Sequence, residues 1–264
     1  MLKVLERPIP DGGRFWDARP ETARRVRQRI EHVLDWATVR GYRRGENPAR
    51  WAGHLKAALP AAPGRGKHFA ALPYGEVAAF VAVLRSRSDI ASRALEFTIL
   101  TATRSGEVIG ATWAEIDLAA ATWTIPAERM KKGDKLHRVP LSQQAIALLR
   151  SLPQESNNPF IFIGSRAGAP LSINMMSKLL AKLGRSDITV HGFRSTFMDW
   201  AHETTSYPKT VIDMALAHTV GDKVEAAYRR GELLDKRRRL MTEWARYCSA
   251  PVRGEVVPLL KGQR

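Results

Sequence analysis

Residues 60–68, Pro-Ala-Ala-Pro-Gly-Arg-Gly-Lys-His, have no apolar periodicity and are dense in breakers and basic side chains. Proline fixes φ and withholds an N–H, and glycine loosens the backbone, so neither a helix nor a central strand runs through such a stretch. It reads as a linker. A chain of 264 residues is therefore expected to fold as an amino-terminal segment over 1–68 and a larger domain over 69–250, with a basic tail over 251–264. A hydrophobic content of 44% is enough for a core. No internal repeat or sustained low-complexity region breaks this division.

The amino-terminal segment is predicted to hold two helices. Pro20-Glu-Thr opens a run with Val26, Ile30, Val33 and Ala37 at helical spacing, and Gly41 stops it. Asn47-Pro48 has the form of an N-cap followed by proline at the first helical position, leading into Trp51, Leu55 and Leu59. Fifteen Lys/Arg against seven Asp/Glu fall in residues 1–68, half of the chain's formal charge of +16. Arg24, Arg25, Arg27 and Arg29 lie outside the apolar stripe of the first helix and are candidates for contacts with DNA phosphates; the plainer reading is a solvated basic face.

Lys+Arg 42 against Asp+Glu 26 and a pI near 10.5 point to a polyanionic partner, with nucleic acid first. No apolar run approaches the eighteen or so residues of a membrane span, and the amino terminus lacks the apolar region of a signal peptide, so no membrane partner is expected. A single cysteine, Cys248, permits neither an internal disulfide nor a cysteine-based metal cluster, which fits a cytoplasmic setting.

From Leu72 onward the pattern is mainly helical. Val77, Phe80, Val81 and Leu84 form one apolar face, and Ala94, Leu95, Thr98 and Ile99 another. Thr122–Ile125 and His137–Leu141 are β-prone runs around a polar stretch containing Lys131-Lys132-Gly-Asp-Lys135, which predicts a hairpin with a basic tip. Ser142 and Ser172 are candidate helix caps, and Pro159-Phe-Ile-Phe-Ile163 is either a strand or a buried connector.

Polar groups with chemical potential are scattered along this frame. Arg104 follows an apolar helix, with Glu107 one turn on and able to face it; an ordinary ion pair is the plainer reading. His191 and Arg194 stand three apart at a helix start, where both side chains can meet an anion. A helix from Pro208 through Leu216 delivers His218, ten residues before Tyr228. Val224, Ala227 and Tyr228 also have the spacing of an apolar helix face, so packing is the plainer role for that tyrosine.

The order Arg104, Lys131 or Lys132, His191-x-x-Arg194, His218, Tyr228 resembles that of the tyrosine recombinases, or phage integrases. Ala70–Pro73, Ala127-Glu-Arg-Met130 and Ala226-Ala-Tyr-Arg-Arg230 are similar to segments of the subgroup carried by prophages and genomic islands. The resemblance runs from about Leu72 to Tyr247. It implies a mainly α fold with a small antiparallel β-sheet, a tyrosine recombinase catalytic domain preceded by a partial helical core-binding domain. The basic hairpin is one residue long for the subgroup. Alignment on Glu-Arg-Met selects Lys131, the preferred assignment, and alignment on Val-Pro-Leu selects Lys132. Subgroup members carry an amino-terminal arm-binding domain and a fuller core-binding domain, so the chain reads as shortened.

In the chemistry the resemblance implies, Arg104 and Arg194 hold the non-bridging oxygens of a scissile phosphate, Tyr228 attacks phosphorus, and His191 acts as base. Lys131 protonates the leaving 5′-oxygen, His218 hydrogen-bonds the phosphate, and Glu107 supports the site. No metal or other cofactor is required. The implied partners are an attachment site in double-stranded DNA and three further copies of the chain in a tetramer on that DNA, with room for DNA-bending accessory proteins at the nucleoid. The segment after Tyr228 either packs on a neighbouring copy or in cis. Two other readings keep part of this chemistry: a DNA-binding remnant without recombination, and a type IB topoisomerase-like strand relaxer, against which the subgroup segments argue.

Overall fold

A computed structural model describes residues 1–60, 70–130, 135–218 and 232–251. The chain divides into two compact units, Met1–His68 and Phe69–Arg264.

In the first unit, short helices α1 (Leu2–Leu5) and α2 (Phe15–Ala18) precede the long α3 (Pro20–Val39), which starts at the expected proline. Leu5, Trp16, Ala23, Leu55 and Leu59 form a small core. The second helix expected after Asn47-Pro48 does not form as one piece. Trp51–Leu55 is a distorted turn in which Ala52 is extended and Gly53 is left-handed (φ 67°), and only Lys56–Ala58 (α4) is α-helical. Asn47 does not cap that helix. Its amide donates to the Glu31 carbonyl at 2.9 Å and to Asp35 at 2.6 Å, while its Oδ1 accepts from Ala49 N–H at 2.9 Å, tying the loop onto α3.

The second unit is helical around a three-stranded sheet. Its elements are α5 (Val77–Arg85), α6 (Ile90–Thr101), α7 (Ser105–Ile109), β1 (Ile116–Asp117), β2 (Thr122–Ile125), β3 (His137–Pro140) and α8 (Gln143–Arg150). There follow α9 (Met175–Lys182), α10 (Gly192–Thr204), α11 (Lys209–Ala215) and α12 (Leu234–Cys248). The sheet is antiparallel in the order β1-β2-β3. The expected hairpin is present, and β1 adds a strand too short for periodicity to reveal. Ser142 caps α8, accepting from Ala145 N–H at 3.2 Å. Ser172 does not cap α9: its side chain makes no cap bond, and Asn174 occupies the cap position. Residues 159–163 are a connector rather than a full strand, with Ile161 and Phe162 buried and single bridges from Thr112 to Phe160 and from Ile163 to Pro170.

Helix α6 runs through the core with Ala94, Leu95, Phe97, Ile99 and Leu100 almost fully buried. Of the two arrangements open to the segment after Tyr228, α12 takes the one in cis. Leu240, Met241, Trp244, Ala245 and Cys248 of α12 are buried in the core of their own unit. Trp244 donates from Nε1 to the Ile99 carbonyl at 2.8 Å and packs on Trp200 (ring centroids 4.9 Å) and edge-on to Phe197 (5.4 Å). Among the described residues no helix is long and apolar enough to cross a membrane.

Candidate active site

Three helix ends converge on one place. The first is the joint between α6 and α7. Ala102 closes α6 in the left-handed region (φ 51°), and Arg104 then takes the extended conformation of an N-cap. Glu107, one turn into α7, reaches back with both oxygens: Oε2 accepts from the Arg104 N–H at 2.8 Å and Oε1 from Arg104 Nη1 at 2.7 Å. The carboxylate is 4% exposed. It thus satisfies a first-turn donor and fixes a guanidinium at once, more than the ordinary surface ion pair of the plainer reading. Arg104 Nη2 lies 3.5 Å from the Ala217 carbonyl.

The second end is the start of α10. Gly192 follows His191 because the chain needs the space: a Cβ there would lie 2.2 Å from the carbonyl oxygen of Ala70. Thr189 N–H donates to that same carbonyl at 2.9 Å, and Thr196 Oγ1 donates to the Leu72 carbonyl at 2.6 Å, so Ala70–Leu72 is laid across the helix start. Arg194 is thereby held almost fully buried, 5% exposed. Its Nη1 donates to the Ala102 carbonyl at 2.5 Å and its Nη2 to the Leu216 carbonyl, while buried Nε has no hydrogen-bond partner among the described residues. Burial, reinforced by the Arg104 charge and partly offset by Glu107, lowers the Arg194 pKa to about 10. His191 is exposed at the N-cap of the same helix.

The third end is the close of α11. The Ala217 N–H donates to Met214 (3.2 Å) and the His218 N–H to Asp213 (2.9 Å), with Ala217 left-handed at φ 49°. This is a Schellman close with alanine where glycine is usual. It turns His218 toward the arginines, with Nδ1 3.6 Å from Asp213 Oδ1. Burial lowers the His218 pKa, with Arg194 and Arg104 acting in the same direction and Asp213 opposing them. Arg104, Glu107, Arg194 and His218 therefore meet. Lys131, Lys132 and Tyr228 lie outside the described residues.

Two participants escaped the sequence reading. Asp213, 8% exposed, orients His218 and also pairs with Lys209. His137 faces inward because β3 pairs Ile125 with His137 and Trp123 with Val139, putting these four on the core face. The alternation Leu141, Val139, His137 was the available signal. The ring donates to the Ala215 carbonyl and is held neutral, its pKa lowered to about 4 by burial first and then by Arg237, with smaller contributions from Arg194 and Arg104. Arg237, 2% exposed, ties α12 to β3 by donating to the Arg138 carbonyl at 2.7 Å. Among the described residues no group of three or more His, Cys, Asp or Glu is placed to hold a metal ion.

In the first unit the four arginines of α3 differ. Arg25 and Arg29 are exposed, Arg25 beside Glu21 at 3.1 Å. Arg24 lies 3.8 Å from Glu21. Arg27 turns inward: it pairs with Glu31 at 2.6 Å, donates to the Ala49 carbonyl at 2.7 Å and sits 5.6 Å over the Trp51 ring. These contacts commit its guanidinium to the fold rather than to a phosphate.

Comparison with known proteins bears on this geometry. Residues 72–232 match the phage integrase family, and residues 2–54 match the phage integrase central domain. The chain is 33% identical to prophage integrase IntZ of Escherichia coli (strain K12), over 91% of this chain and 58% of that protein. It is 30% identical to the integrase of Enterobacteria phage P4, over 86% and 55%. The chain thus spans little more than half the length of these relatives. Among solved structures, the lambda integrase (75-356) dimer bound to a COC' core site shares the fold at a TM-score of 0.53 and 17% identity, covering 75% of this chain and 72% of that one. The integrase from mycobacterium phage Brujita does so at 0.52 and 15%, covering 90% and 76%. The family match contains Arg104, Arg194, His218 and the three helix ends that bring them together, and on that span the chain belongs to the phage integrase family.

Proposed function

We propose that this chain cleaves and rejoins double-stranded DNA site-specifically, by transesterification through a 3′-phosphotyrosyl link on Tyr228. The observation that carries the reading is the convergence of two guanidinium groups on consecutive carbonyls, Arg194 on Leu216 and Arg104 on Ala217, one residue short of His218. Attack on a phosphodiester builds negative charge on the non-bridging oxygens, and fixed, partly desolvated arginines stabilise that charge without reorganising. The lowered Arg194 pKa reflects its burial first and the neighbouring Arg104 charge second.

The Tyr228 hydroxyl, ordinarily titrating near 10, loses its proton to His191 as it attacks phosphorus. The bond to the 5′-oxygen breaks, and Lys131, or Lys132 beside it, supplies the proton to that leaving oxygen. A 5′-hydroxyl from a partner strand then attacks the phosphotyrosine and the tyrosine is released. His218 donates to a phosphate oxygen. Burial, and after it the charges of Arg194 and Arg104, lower its pKa, and an incoming phosphate offsets only the arginine part. Strand exchange between two duplexes requires four active sites, hence a homotetramer on DNA. The first unit serves as a partial core-binding domain, with Arg25 and Arg29 toward phosphates. DNA-bending accessory proteins and a place at the nucleoid belong to the same reading.

The test uses nicked duplexes tiled across the DNA flanking the chain's own gene, on which cleavage releases a short fragment and traps the enzyme. Wild-type protein is expected to form a covalent adduct and Tyr228→Phe none. An adduct that persists in Tyr228→Phe overturns the nucleophile, and DNA binding without any wild-type adduct favours a binding remnant.

A further inference from the structure

We propose that Arg129 is a positioning residue for Arg104, acting through Glu107; the proposal rests on the strand-transfer reading above. Arg129 ends a single 3₁₀ turn, Ala127–Arg129, that follows β2. Its Nη1 pairs with Glu115 Oε1 and its Nη2 donates to the main-chain carbonyl of Glu107. Glu115 cannot swing away, because its other oxygen accepts from Nε1 of the fully buried Trp123 at 2.8 Å. The guanidinium is therefore wedged between a fixed carboxylate and the last turn of α7.

Glu107 is thus held twice: its carboxylate is bound to Arg104, and its carbonyl is bound to Arg129. A helix of five residues has little stability of its own, so what fixes it must come from outside. Arg129 supplies this at the C-terminal end, where orphan carbonyls attract a cation. Gly110 leaves it room. A Cβ there would lie 3.0 Å from Arg129 Nη2 and 3.3 Å from Nε. The forked geometry explains the residue type: two acceptors in different directions suit a guanidinium, whereas a lysine ammonium meets them only as a point charge.

A purely structural brace and a positioning residue differ in how they respond to substrate charge. A methylphosphonate at the scissile position lacks one charged non-bridging oxygen, so its transition state depends less on Arg104. First-turnover adduct formation is measured on phosphate and methylphosphonate versions of the nicked duplex, for wild type, Arg104→Ala, Arg129→Ala, Arg129→Lys and Gly110→Ala. On phosphate, Arg129→Ala is expected to slow adduct formation by about tenfold or more, with DNA affinity unchanged. On methylphosphonate most of that deficit is expected to disappear, as it does for Arg104→Ala. Arg129→Lys is expected to restore little, and Gly110→Ala, which keeps every charge, to shift the same way more mildly.

Equal deficits on both substrates, or wild-type rates in Arg129→Ala, overturn the proposal. If Arg129→Ala does not fold, Gly110→Ala decides by the same comparison. Failure of wild type to form any adduct on phosphate DNA is a separate result that removes the strand-transfer reading and this proposal with it.

Discussion

Arg194 donates to the carbonyl of Ala102, 92 residues upstream, at the left-handed residue that closes α6. Its other terminal nitrogen binds Leu216, at the end of α11. One guanidinium therefore joins two helix ends, and its removal leaves two carbonyls and a buried space unfilled. Arg194→Ala is expected to abolish adduct formation and lower stability by about 2–4 kcal/mol, whereas Arg104→Ala, on a less buried side chain, loses adduct formation at a cost below about 1.5 kcal/mol. Urea titration beside the nicked-duplex assay separates the two. Equal stability losses would contradict this division.

His137 makes stability depend on pH. Its pKa is 6.5 in the unfolded chain and about 4 in the fold, so between these values the unfolded chain binds more protons. The contribution is complete above about pH 6.5 and is lost as pH falls toward 4, amounting to on the order of 3 kcal/mol. Asn at this position can still donate to Ala215 and does not titrate. His137→Asn should therefore flatten the acid limb of a stability profile taken from pH 7.5 to 4.5. An unchanged limb would assign the effect to other groups.

Gly192→Ala is expected to be among the most damaging small substitutions. The added methyl group meets a main-chain oxygen, which has no rotamer to escape through. A loss of about 2 kcal/mol or more is expected, together with loss of the Thr189 and Thr196 bonds that position Arg194. Denaturant midpoints would test it, and a change within about 0.5 kcal/mol would show that Ala70 yields easily.

The arginines of α3 should divide in a binding experiment. Charge reversal at Arg25 and Arg29 is expected to reduce the slope of log affinity against log salt by about one to two. Arg27→Ala should leave the slope largely unchanged and destabilise the first unit by about 1–2 kcal/mol, through loss of Glu31, Ala49 and Trp51 contacts. A slope that responds to Arg27 alone would reverse the assignment.

Much of this was legible in the residues. Apolar spacing found α3, α5 and α6, and the order of charged groups pointed to the site. What it could not reach were features set by contacts between distant segments. Asn47 looked like a helix cap because its local sequence is one, and only α3 packing against it shows another use. His137 carried no local mark, since a histidine on a strand is read as buried or exposed only once the register with β2 is known. Asp213 acts through a helix close whose left-handed residue is alanine, so the usual glycine signal was absent.

The two flanks of the basic hairpin are anchored independently. On one side Arg129 is fastened to α7, and on the other His137 is paired with Ile125. A residue gained or lost between Met130 and Lys135 therefore shifts neither strand register nor either arginine. Spacing between these two anchors is thereby uncoupled from the placement of Arg104 and Arg194, and a change in length there is expected to alter only what the intervening lysines reach.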